Sequence, residues 1–317
     1  MFRSEHSFDG AAFQVRQLKG SATFLFSPPH IPSSKIHRSP MHVYGIDFTS
    51  APSSSKPITC AQAVLSKGRL RIEALMRWLE FDDFDKFLCS DGPWITAMDF
   101  PFGLPKRLIQ NLGWPPDWKK YVVKIADMEK EAFGNLLQRY QQTQPKGDKH
   151  HLRQTDSRAC ARSPMMWFGV PVGRMFFEGA PRLLNSQVSV IPCRPNLDSR
   201  VVLEGYPALA VRRWLGQVRY KTARSKEADR QARRERQQLL GRLSSLEAGS
   251  FYGFQFQIGT HLSQKLIEDP SGDSIDAVLC AVQAAAAFSR RTQNYGVPLD
   301  CDVEEGWIVD PALHDLR

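Results

Sequence analysis

The sequence predicts an α/β domain on a mixed sheet. Three observations carry this reading. Short apolar runs with period-two alternation come first, and helix-period segments alternate with strands afterwards. The first two strand-like runs are close enough to form a hairpin, which excludes a purely parallel sheet. Three apolar runs close on an acid: Asp47 in HVYGIDF, Asp99 in WITAMDF and Glu204 in RVVLEGYP.

Residues 1–40 are rich in Ser, Pro, His and basic residues and show no sustained period. They are expected to be a disordered tail or an extension upstream of the true start, with Met41 a natural beginning. The run QVRQLKGSATFLF lacks the clean apolar core of a targeting peptide. One domain is expected over 41–311, followed by a tail at 312–317. MHVYGIDF is its first strand. Tyr44, Ile46 and Phe48 share one face, and Val43, Gly45 and Asp47 the other. TSAPSSSKP is a turn and ITCAQAVLS the second strand. A third short strand is expected at Arg69–Ile72, then a helix over Glu73–Leu88. WITAMDF is the next strand, and Pro101 and Pro105 forbid its continuation.

Residues 106–195 are expected to be a helical insertion. It has helical stretches at Trp118–Tyr140 and Ser157–Met166, and a polar connector whose His150 and His151 face solvent. RVVLEG is then a strand, and Pro207–Leu215 a helix with proline in its first turn. Ser225–Leu243 is a charged helix, Asp273–Phe288 an alanine-rich buried helix, and GWIVDP a terminal strand.

The acids carry the chemistry. A lone carboxylate in an apolar element is costly unless paired or metal-bound. For one such residue a local hydrogen-bond acceptor is the ordinary explanation. Four of them, Asp47, Asp99, Glu204 and Asp276, point to one shared site. On a helix, positions 273, 276, 280 and 283 fall within roughly 80°. Asp273 is explained as the helix N-cap; Asp276 is not, and becomes the fourth ligand. Carboxylates without His or Cys companions select Mg²⁺ or Mn²⁺ over Zn²⁺. Two such ions on a carboxylate cluster hydrolyse phosphodiesters, so all four acids are candidate catalytic and metal-binding residues.

The net charge of +9 favours an acidic partner, nucleic acid first. Ten Lys/Arg against three acids lie between Val211 and Arg236. A solvated helix face accounts for about half of such a run. The irregular RYKTARSK presents Lys221, Arg224 and Lys226 as candidate phosphate contacts. RQTDSRACAR puts Arg153, Asp156, Arg158 and Arg162 close together and adds Arg158 and Arg162 as candidates, although an Arg–Asp structural network is its ordinary reading. The six cysteines form no C-x-x-C pair, so they read as reduced thiols of a cytoplasmic protein. The longest apolar run, Ile275–Phe288, is too short for a membrane span.

The series GIDFTSAP, AMDFPFGLP, TDSRACARSPM, GVPVGRMFFE, VVLEGYPALAVRR, YKTARSK and SGDSIDAVLCAVQAA runs from Gly45 to Ala285, within a resemblance that covers residues 41–311. In order and spacing it resembles the family called domain of unknown function four-twenty-nine (DUF429), predicted nucleases. The resemblance implies a ribonuclease-H-like fold, a mixed five-stranded sheet flanked by helices with the helical insertion added. It also makes Asp47 the first-strand aspartate, Asp99 the fourth-strand acid, and Glu204 and Asp276 the later acids. The activity expected is metal-dependent hydrolysis of nucleic acid. Two other readings stay open. GIDFTS resembles the phosphate-binding hairpin of actin-like and sugar-kinase-like phosphotransferases, although no second Gly-rich phosphate loop is present. The third reading is a catalytically inactive nucleic-acid-binding module.

Overall fold

The computed structural model describes residues 40–221 and 225–313. The expectation for the N-terminal segment falls, except for Pro40, outside the described residues, as does that for most of the C-terminal tail. The chain forms β1 (Met41–Asp47), β2 (Ile58–Ser66), β3 (Arg69–Trp78), α1 (Phe81–Leu88) and β4 (Trp94–Met98). Helices α2 (Lys106–Asn111), α3 (Trp118–Ala126), α4 (Lys130–Gln142), α5 (Gln154–Ala159) and α6 (Val172–Asn185) follow. Then come β5 (Ser189–Ile191), β6 (Arg200–Glu204), α7 (Pro207–Leu215), α8 (Lys226–Leu243) and α9 (Leu246–Tyr252). Strand β7 (Gln255–Ile258), α10 (Thr260–Glu268) and α11 (Asp273–Ser289) complete the series.

The sheet has seven strands in the order β5-β6-β4-β1-β2-β3-β7, not five. β1, β2 and β3 form an antiparallel meander. β4 runs parallel to β1, β6 to β4, β5 to β6, and β7 to β3. The two additional strands, β5 and β7, have three and four residues, too short for period-two alternation to declare them. β3 runs on to Trp78, so the helix expected from Glu73 begins only at Phe81. The helix expected over Trp118–Tyr140 is two helices, α3 capped by the Asp117 side chain and α4. The GWIVDP strand reduces to one bridge, Ile308 against Glu204.

Period-two geometry sorts the strand residues onto two cores. Val43, Ile95, Ala97 and Leu203 pack with α7 to α11. Ile46, Trp94, Met98 and Val202 pack on the opposite face with α1 to α4 and α6. α11 is buried along nearly its whole length. Ile275, Val278, Leu279 and Val282 are fully buried, each stabilising the fold by about 1.5–3 kcal/mol. α11 lies unusually close to β1. A Cβ on Gly45 would stand 2.0 Å from the Ala277 carbonyl oxygen and 2.1 Å from the Ala281 nitrogen. Only glycine fits there.

His151 is buried, not solvent-facing as its polar surroundings suggested. Its Nε2 is 2.8 Å from the Tyr140 hydroxyl and its Nδ1 3.2 Å from Asp148. No described helix is long and apolar enough to cross a membrane.

Candidate metal centre

Asp47 is the last residue of β1, and Asp99 immediately follows β4. The strands are parallel neighbours with Ile46 opposite Met98. The Asp99 amide donates to the Ile46 carbonyl at 2.8 Å, which sets the two acids side by side. Alternation turns both toward α11, where Asp276 sits in the first turn. The helix N-terminus favours a carboxylate there. One oxygen from each of Asp47, Asp99 and Asp276 lies within 4.8 Å of the others. Asp47 is 6% exposed and Asp276 3%, while Asp99 is only partly buried.

Burial, and then the repulsion of Asp276, pushes the Asp47 carboxyl well above its ordinary range despite Lys221 nearby. The same pair of causes raises Asp99 to about 7. Burial also raises Asp276, against the pull of Lys221 and a hydrogen bond from Tyr220. The acids therefore resist ionising together unless positive charge is supplied.

Two lysines supply some. The Lys221 ammonium forms a short ion pair with Asp276 and lies 3.4 Å from Asp273. Asp276 and Asp47 raise Lys221 beyond its ordinary value, against the effect of its burial. Lys56, from the β1–β2 loop, pairs with Asp273 at 3.0 Å. Asp273 is thus an ion-pair partner, and the N-cap position belongs to Gly272. The Tyr220 hydroxyl donates to Asp276 at 2.6 Å. Behind it, buried Arg236 of α8 donates to the carbonyls of Tyr220 at 2.7 Å and Ile267 at 2.8 Å, anchoring the segment that delivers Tyr220 and Lys221.

Glu204 does not join this group, for a reason of register. It stands opposite Met98, so it shares Met98's face, away from α11. Its neighbour Gly205 looks toward α11, with Cys280 Sγ 3.0 Å from where a Cβ would stand. Both Glu204 oxygens accept from the Arg153 guanidinium, at 2.6 and 2.8 Å, and one also from the Phe102 amide at 2.9 Å. Arg153 binds Asp156 as well, at 2.7 and 2.9 Å. This is the Arg–Asp network that RQTDSRACAR suggested, with Glu204 drawn into it. Breaking such a buried set by removing one partner costs about 3–5 kcal/mol.

The basic candidates divide. Lys221 reaches the carboxylates with its ammonium while 43% of its side chain stays accessible. Arg158 lies over the Trp307 ring at 5.2 Å, and Arg162 is exposed. Lys226 opens α8, and Arg224 lies outside the described residues. Lys56, Tyr220 and Arg236 went unrecognised as site residues. The one signal for Lys56 was a lone base after a strand that ends on an acid. For Tyr220 it was adjacency to Lys221. Arg236 was hidden in a run of surface charges.

The family described as "Protein of unknown function (DUF429)" matches residues 45–298, which include Asp47, Asp99, Lys221 and Asp276. No curated protein and no solved structure matches the chain. The match covers well over half of the sequence and contains every member of the carboxylate cluster, so the chain belongs to the DUF429 family.

Proposed function

We propose that the chain is a divalent-metal-dependent nuclease, with Asp47, Asp99 and Asp276 as metal ligands on a ribonuclease-H-like sheet. The observation that carries this is the convergence of three carboxylate oxygens within 4.8 Å, two of them on buried residues and all on one face of the sheet. The antiparallel unit β3-β2-β1, continued by parallel β4 and β6, supports the ribonuclease-H-like reading. The donor set fits Mg²⁺ or Mn²⁺: hard oxygens only, negative in sum, and already holding the Lys221 ammonium as a cation stand-in. Glu204 is left out of the ligand set because Arg153 occupies both its oxygens.

A bound divalent ion would supply Lewis acidity toward a phosphoryl oxygen and lower the pKa of a bound water. The chain's own groups do the rest. Asp47 and Asp99, set by adjacent parallel strands, fix the ligand spacing. Without a cation the Asp99 carboxyl is pushed up to about 7, so it must give up its proton to serve as a ligand. Lys56 and Lys221 place positive charge beside the carboxylates, where a phosphodiester must approach. The net charge of +9 supports nucleic acid as the polyanion. Hydrolysis consumes one water, breaks one P–O bond and leaves a phosphomonoester and a free hydroxyl.

The test is incubation of the full chain with labelled single- and double-stranded DNA and RNA, with Mn²⁺, Mg²⁺ or chelator. Metal-dependent cleavage of at least one substrate is expected. Asp99→Asn should lower the rate by more than the roughly 10- to 100-fold typical of outer-shell changes. Absence of cleavage from every substrate by metal-bound protein would reject hydrolysis and leave the inactive-module reading.

A further inference from the structure

The inference rests on the metal reading above and concerns what fills the site before a cation arrives. Lys221 turns into the carboxylates although 43% of its side chain remains accessible. Both oxygens of Asp276 are engaged, Oδ1 by the Tyr220 hydroxyl and Oδ2 by the Lys221 ammonium. Asp47, Asp99, Asp273 and Asp276 carry four formal negative charges when ionised. Lys56 and Lys221 return two positive ones.

We propose that Lys221 is the resident counter-ion of this site, and that a divalent cation enters by displacing its ammonium from Asp276. Two cations cannot both hold Asp276 Oδ2 at contact distance without strong repulsion. The divalent ion brings twice the charge, and the exposed part of the Lys221 side chain gives the ammonium a way out. Lys56 differs in one informative respect. It touches Asp273 alone and holds no oxygen of the triad. Removing either lysine deletes one positive charge, but only removal of Lys221 frees an oxygen of a triad carboxylate. Lys221 thus sets the cation affinity of the site, and Lys56 serves as the internal control for charge.

Calorimetric titration of the full chain with Mn²⁺ tests this, using the parent, Lys221→Met and Lys56→Met. Lys221→Met should tighten Mn²⁺ binding by about tenfold, the scale on which groups around metal ligands act, and Lys56→Met by clearly less. On the unaltered protein, acetic anhydride labelling read by mass spectrometry should show Lys221 gaining reactivity with Mn²⁺, relative to exposed Lys67. This second measurement decides the matter if Lys221→Met fails to fold. Equal Mn²⁺ affinity in parent and Lys221→Met, or unchanged Lys221 labelling at Mn²⁺ saturation, overturns the proposal while the metal site stands. No Mn²⁺ binding to any of the three proteins overturns both.

Discussion

Asp99 carries the clearest pH signature among the residues of the site. Its carboxyl titrates near 7 in the folded chain and near 4 in the unfolded one. Between these values the native state holds a proton that the unfolded state has lost. The stabilisation is complete below pH of about 4 and is lost as the pH rises through 7, at no more than about 1.4 kcal/mol per unit for this one group. Chemical denaturation of the metal-free protein between pH 5 and 8 should show that decline, and Asp99→Asn should make it shallower, the raised Asp47 and Asp276 carboxyls supplying the rest. A parent and variant with the same slope would argue that Asp99 is not perturbed. Mn²⁺ affinity should run the other way, rising with pH, because the ligands must ionise. At this scale the sequence was legible wherever a residue's own strand or helix fixed its direction. Asp47 and Asp99 were placed by strand parity, and Asp276 by the helical stripe. Glu204 has the same local look, but its face depends on the register between β6 and β4, which a single strand does not encode. Lys221 was read as a candidate phosphate contact, yet its partners in the fold are carboxylates far away in sequence. His151 sits in polar sequence but is enclosed by tertiary packing against Tyr140.

The elements that matter most are β1 and α11, because their contact aims the site. Gly45 is the point of closest approach. Gly45→Ala should push the helix off the strand and cost at least the ~3 kcal/mol at the upper end of overpacking penalties. A shift of the urea midpoint to lower concentration, with weakened Mn²⁺ binding, is expected; an unchanged midpoint would mean the helix can retreat freely. The hairpin, β4, α7, α8 and α11 were readable from periodicity and punctuation, since proline, serine caps and glycine mark their ends. β3 was not. Its residues 73–78 satisfy helical spacing as well as a strand, and pairing with β2, which carries a register irregularity at Gln62/Ala63, decides for the strand. The break between α3 and α4 was missed because residues 127–129 contain no glycine or proline. β5 and β7 owe their existence to neighbours already in the sheet, a tertiary cause with no local trace.

For the whole molecule, the proposed cation site would link binding to folding. A metal that binds only the native state should add about 2.7 kcal/mol at a concentration one hundred times its Kd. Thermal melts should therefore shift upward with Mn²⁺ in the parent and remain unmoved in Asp47→Asn. That variant should also melt higher than the metal-free parent, since one repelling carboxylate is gone. A parent melt indifferent to Mn²⁺ would count against the site. The contact between Gly45 and Ala277 has a further consequence, for biosynthesis. The strand that carries Asp47 is made early and the helix that carries Asp276 late, with Lys221 and its anchor Arg236 in between. Domains are synthesised from the N-terminus onward. A growing chain on the ribosome therefore holds Asp47 and Asp99 long before it holds their third partner or their lysine. If the three carboxylates do hold a cation, a chain cut short before α11 would lack Asp276 and with it the complete set.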